Sequence, residues 1–78
     1  MESIEVTARF DKDGKVIPLY LVWHGHRYTI DNVGRQWQAS DGLHILVMTP
    51  SGRMFELVFL STENRWLLGR VEPDQMLA

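Results

Sequence analysis

The sequence predicts an all-β protein, a six-strand antiparallel meander that is strongly bent into a small barrel or a sandwich-like layer. The β-branched and aromatic residues make up 23 of the 78 positions, whereas Ala occurs only three times. No window of about twelve residues carries apolar side chains at helical spacing without a Gly or Pro among them. Turn-forming residues recur about every ten positions, which is typical of short strands joined by hairpins.

Length and composition restrict residues 1–78 to one small domain, with a loose tail expected from about residue 73. The chain has no Cys, which excludes a disulfide framework, a thiol nucleophile and a zinc ribbon. The first residues lack the apolar segment of a signal peptide, and no apolar run approaches the ~20 residues of a membrane span. We therefore expect a cytoplasmic protein that does not contact membranes.

The first hairpin is the clearest element of the N-terminal half. Apolar and polar residues alternate up to Phe10, and Gly14 closes a short loop after two Asp residues. This loop predicts that Phe10 lies opposite Val16 and that Val6 lies opposite Tyr20.

The second hairpin and the segment after it are less regular. Pro18 lacks an amide hydrogen and marks an edge or a bulge in the second strand. A tight two-residue turn is expected around Gly25, and the third strand runs to Asp31 and fades by Gly34. Residues 35–42 are predicted to be the least regular stretch, with room for one short helical turn.

The C-terminal half predicts three strands over residues 43–49, 53–60 and 65–72. Setting Thr49 opposite Arg53 and Leu60 opposite Arg65 sorts their side chains into two faces. One face collects Ile45, Val47, Phe55, Leu57, Phe59, Trp66 and Leu68. The other collects His44, Leu46, Met48, Met54, Val58, Leu60, Leu67 and Val71.

Because both faces are largely apolar, something must cover the second one. Either the first hairpin folds over it and closes a barrel, or a second copy of the chain covers it in a homodimer. The candidate residues for self-association are Leu46, Met48, Met54 and Val58.

A second candidate surface combines aromatic and cationic residues. Arg27, Arg35 and Trp37 are of the types that small barrels use to stack single-stranded nucleic acid or to hold extended peptides. The simpler interpretation is that the three Trp residues form the core of a small β-domain. The net charge of −2 disfavours nucleic acid as a partner.

Catalytic and metal sites are not expected. The two His residues around Gly25 straddle a tight turn, so their rings diverge, and a third ligand would have to come from His44 or Asp31. No nucleophile with a base beside it is apparent. Glu56 lies in the middle of a strand, where we expect either a partner such as Arg65 or Arg70 or simple exposure at an edge. We expect neither a metal nor a cofactor.

Aromatic, Gly and Arg residues follow a distinctive order along residues 18–72: Pro18, Tyr20, Trp23, Gly25, Arg27, Tyr28, Val33, Trp37, Gly52, Phe55, Trp66, Leu68, Arg70 and Val71. This order resembles an uncharacterised family of small bacterial β-proteins, usually described as a domain of unknown function. Some relatives are fused to translesion-polymerase-like proteins and others stand alone. Its motifs contain no catalytic group, and His26 stands where the family tends to have Arg. The resemblance implies a β-fold and, through these fusions alone, a DNA-repair context.

Together these observations predict a non-enzymatic protein-interaction module that self-associates or binds a protein partner. The alternative is a nucleic-acid-binding accessory domain that uses Arg27, Arg35 and Trp37.

Overall fold

A computed structural model describes residues 1–72 and confirms the all-β class. Its seven strands are β1 (Glu2–Phe10), β2 (Val16–Trp23), β3 (His26–Thr29), β4 (Asn32–Ala39), β5 (Gly42–Met48), β6 (Met54–Leu60) and β7 (Arg65–Glu72). They form one curled antiparallel sheet in the order β3-β2-β1-β7-β6-β5-β4. The tail predicted from about residue 73 lies outside the described residues. No helix among residues 1–72 is long and apolar enough to span a membrane.

The strand count exceeds six because residues 32–39, where the third strand was expected to fade into an irregular segment, form a separate strand, β4. The amide of Ile30 donates to the carbonyl of Leu19 in β2 at 3.0 Å, and the amide of Asp31 donates to the carbonyl of Met48 in β5 at 3.1 Å. Two consecutive residues therefore bond to strands near opposite ends of the sheet order. This crossing ties the two ends of the curled sheet together.

The prediction of an irregular segment at residues 35–42 was wrong. Most of this stretch belongs to β4, which pairs with β5 from Asn32 to Ala39 and carries a register shift between Val33 and Gln36. A two-residue turn at Ser40 and Asp41 then leads into β5. Strand β4 was not predicted because a bulge at Gly34 and Arg35 interrupts the alternation of apolar side chains along it.

The registers of the hairpins were mostly predicted. Phe10 pairs with Val16 as expected, but Val6 pairs with Leu21 instead of Tyr20. The cause is a register shift beside Pro18, which cannot donate a ladder hydrogen bond. The β5–β6 and β6–β7 registers at the two hairpin turns are as predicted.

The core lies on the inner face of the curl and matches the first predicted face. Its buried residues are Val16, Leu21, Ile45, Val47, Phe55, Leu57, Trp66 and Leu68. Val71 was assigned to the opposite face, but it packs against this core and pairs with Phe55. The register shift at Gly69, where Arg70 pairs with Glu56 and Leu68 with Leu57, moves Val71 across the sheet.

The structure places the three Trp residues in different surroundings. Trp66 is buried in the core, and Trp23 is half-buried in an edge-to-face contact with Phe55, with ring centres 5.6 Å apart. Both agree with the core interpretation. Trp37 is half-buried on the outer face, where it stacks on His44.

Candidate functional site

Three of the rows of side chains on the outer face of β4–β7, defined by the strand pairings, contain most of the predicted site residues. The first row consists of Asn32, Met48, Met54 and Glu72. The second consists of Leu46, Glu56 and Arg70. The third consists of Trp37, His44, Val58 and Leu67. This face is therefore more polar than the sequence predicted, since charged groups separate its apolar residues.

An apolar patch formed by Leu46, Met48 and Met54 occupies the first two rows. These side chains surround a shallow cavity of about 150 Å³, whose remaining lining comes from Asn32, Gly34, Arg35 and Val47. Met48 is 37% exposed, which makes it one of four large hydrophobic residues exposed to this degree within residues 1–72. Three of the four predicted self-association residues thus lie together beside Arg35.

The fourth predicted residue, Val58, is fully buried within the chain. It lies in the third row between His44 and Leu67, and Gly42 packs closely over its side chain. Val58 therefore offers no surface to a second molecule, and we leave it out of the patch.

Arg35 and Trp37, two of the predicted binding residues, lie next to the patch on β4. The guanidinium carbon of Arg35 is 4.8 Å from the centre of the Trp37 ring. The Trp37 ring also stacks on the His44 imidazole, with centres 5.0 Å apart and planes tilted by 23°. Trp37 thus already has two stacking partners from its own chain.

Arg27, the third predicted binding residue, belongs to a different part of the sheet. Its guanidinium carbon lies 3.7 Å from the centre of the Tyr20 ring on β2. Strands β3 and β4 are at opposite ends of the strand order. The structure therefore assigns Arg27 and Arg35 to separate aromatic rings instead of one platform.

The most highly organised polar group on the outer face is one that the sequence did not reveal. His44 Nδ1 lies 2.7 Å from Oε2 of Glu56, and His44 Nε2 lies 2.7 Å from Oδ1 of Asp41. On the far side, Oε1 of Glu56 is 3.9 Å from Nε of Arg70. We call Asp41, His44, Glu56 and Arg70 the His44 network. Arg70 was one of the alternatives that the sequence left open for Glu56, whereas His44 was not among them.

The His44 network alters two pKa values. The hydrogen bond that His44 donates to Asp41 raises the pKa of His44 above its ordinary value of 6.5, with a further contribution from Glu56 and against the effect of burial. The same hydrogen bond lowers the pKa of Asp41 below its ordinary value of 3.8. Both shifts are in the direction that favours an ion pair between His44 and Asp41.

The other two His residues point to different rings. His24 stacks on Trp23 with ring centres 4.1 Å apart, whereas the rings of His26 and Tyr28 lie edge to face with centres 6.5 Å apart. Across residues 1–72, no three His, Asp or Glu side chains are grouped so that they could hold a metal ion.

Comparison with known proteins identifies no relative of this chain. The chain matches no family model, no curated protein and no solved structure. The family resemblance in residues 18–72 stays a prediction, and the function has to be argued from the outer face itself.

Proposed function

We propose that this protein is a non-enzymatic interaction module that self-associates through the apolar patch. The observation that carries the proposal is the grouping of Leu46, Met48 and Met54 around one shallow cavity on the outer face. Exposed apolar groups that are clustered and rimmed by polar residues are characteristic of protein-interaction surfaces. Both ring nitrogens of His44 are engaged by carboxylates, so neither is available as a general base.

The charges around the patch favour a second copy as the occupant. The cation of Arg35 borders the cavity on the β4 side, and Glu72 ends the first row on the β7 side. A two-fold axis that passes through the patch parallel to the strands would place Arg35 of each copy near Glu72 of the other. One face would thus supply both apolar contact and complementary charge.

The size of the patch favours a weak, reversible dimer. A standard interface takes about 800 Å² from each partner, which is about a sixth of the 5009 Å² surface of this chain. The three patch residues cover only the centre of such an area. We therefore expect dissociation in the micromolar range, with the rim charges contributing to specificity more than to affinity.

The experiment is light scattering on a size-exclusion column over a dilution series. The wild type is compared with Met48→Glu, which places a charge in the patch, and with Leu19→Glu as the control. Leu19 on β2 is 41% exposed, close to the 37% of Met48, and lies outside the patch. We expect a dimer that dissociates on dilution for the wild type and the control, and a monomer for Met48→Glu. A monomer at every wild-type concentration refutes the proposal, as does equal disruption by both variants.

A nucleic-acid-binding role is the second candidate, because two guanidinium groups lie over aromatic rings at Tyr20 and Trp37. The geometry supports it less, since a base would have to replace the stacking partners that Trp37 already has. This role predicts binding of single-stranded oligonucleotides that weakens steeply with salt and is reduced by Arg35→Gln. Absence of binding at about 50 mM salt excludes it.

A further inference from the structure

The hydrogen bonds of His44 require a particular protonation state. Carboxylate oxygens only accept hydrogen bonds, and a neutral imidazole carries a single N–H. Both ring nitrogens of His44 lie 2.7 Å from a carboxylate oxygen. Two donated bonds at this length therefore need the imidazolium form, which bridges the β4–β5 turn at Asp41 and strand β6 at Glu56.

The bridge is largely shielded from solvent. The His44 side chain is only 10% exposed and that of Glu56 only 17%, whereas that of Asp41 is 49% exposed. The Trp37 ring from β4 covers the imidazole. Of the charged groups on adjoining strands, Arg35 lies over the Trp37 ring, with its guanidinium carbon 4.8 Å from the ring centre.

Strand β7 completes the electrostatic surroundings of His44. Arg70 Nε lies 3.9 Å from Glu56 Oε1 and 3.5 Å from Oε2 of Glu72. With His44 protonated, the four charges of the His44 network balance. When His44 is neutral, the network carries one net negative charge.

We propose that His44 is a pH-operated latch that fastens the β4–β5 turn to the outer face of the sheet. Below the transition, the imidazolium holds Asp41 and Glu56 together. Above it, the single remaining N–H serves Glu56, because the more buried carboxylate costs more to leave unpaired. Asp41 is then released, and the turn and the Trp37 ring above His44 gain freedom. This latch does not depend on self-association.

The direction of the switch follows from the contacts. Because its partners raise the pKa of His44 above 6.5, the latch is closed at mildly acidic pH. It opens as the pH rises through the folded-state pKa, which places the transition on the alkaline side of 6.5.

The experiment is an NMR titration that follows the His44 ring and the Trp37 indole signal in the same samples. The indole signal is assigned with Trp37→Phe. Asp41→Asn and Glu56→Gln each remove one carboxylate charge while keeping the shape of the side chain. Asp13→Asn is the matched control, since Asp13 is also an exposed turn aspartate and pairs with Lys12 at 3.9 Å.

We expect the wild-type His44 ring to titrate above pH 6.5, with the Trp37 signal moving at the same midpoint. Asp41→Asn and Glu56→Gln should each lower that midpoint by about 1 pH unit, and Asp13→Asn should leave it unchanged. The proposal is overturned if His44 titrates at or below its ordinary pKa in the wild type. It is also overturned if neither carboxylate variant moves the midpoint, or if the Trp37 signal does not follow it.

Discussion

Substitution of Gly42 by Ala should destabilise the fold strongly, because Gly42 begins β5 where the chain has no room for a side chain. A Cβ atom there would lie 2.7 Å from the carbonyl oxygen of Phe59 and 3.0 Å from Cγ1 of Val58. The φ angle of +139° is also one that residues with a side chain rarely adopt. Since the nearest obstacle is backbone of the paired strand β6, relief requires the β5–β6 ladder to move.

The magnitude is the sum of two costs. An unfavourable positive φ costs about 1–2 kcal/mol, and overpacking a close contact costs about 1–3 kcal/mol more. Together they lower the free energy of unfolding by about 2–5 kcal/mol, comparable to the ~5 kcal/mol expected for a domain of this size. Gly14→Ala is the control, because Gly14 has φ +84° but no atom within 4 Å of the added Cβ. Its free energy of unfolding should fall only by the amount that the unfavourable φ costs.

The assay is urea unfolding followed by Trp fluorescence at one fixed protein concentration, with linear extrapolation to water. We expect Gly42→Ala to be partly unfolded before urea is added, and Gly14→Ala to show a modestly lower midpoint with an unchanged slope. Equal losses for the two variants would show that the contact with Phe59 relaxes freely and would refute the reasoning.

Three further predictions concern charge, pH and the core. Arg35→Glu should weaken self-association, and Arg35→Glu combined with Glu72→Arg should restore it, as measured by sedimentation equilibrium. Since the pKa of His44 is raised, its stabilisation is complete below about pH 6.5 and lost as the pH rises through the folded-state pKa. Urea unfolding from pH 6 to 9 should therefore show a fall in stability that His44→Gln lacks. Leu57→Ala, at a fully buried position, should cost about 2–5 kcal/mol in the same assay.

The hairpins with regular alternation were predictable from sequence, whereas the bulges were not. The loop between Thr49 and Arg53 set the β5–β6 register because no bulge interrupts the strand pairing on either side of it, so successive side chains keep pointing to alternate faces. At Pro18, Gly34 and Gly69 the register shifts, and each extra residue moves later side chains to the opposite face. This explains why β4 was missed and why Val71 was placed on the wrong side.

The His44 network was hidden for a different reason, although its signal was present in the sequence. The predicted β5–β6 register already placed His44 and Glu56 diagonally on the same face, two polar side chains among apolar ones. Such a pair is expected to interact when the surrounding residues exclude water. Asp41, however, reaches His44 only because a two-residue turn returns the chain beside it, and that turn lay in the segment interpreted as irregular.

The arrangement of the outer face makes the two proposals separable. In the third row, Trp37 stacks on His44 within the chain. In the first row, by contrast, Met48 and Met54 line the shallow cavity and are accessible to a second molecule. A charge at position 48 should therefore change the mass in solution and leave the His44 titration unaltered. Asp41→Asn should do the reverse, because Asp41 lies in the turn beyond the third row. If each variant changes only its own measurement, the sheet uses one face for two purposes: a patch for association and a latch that holds the adjoining turn.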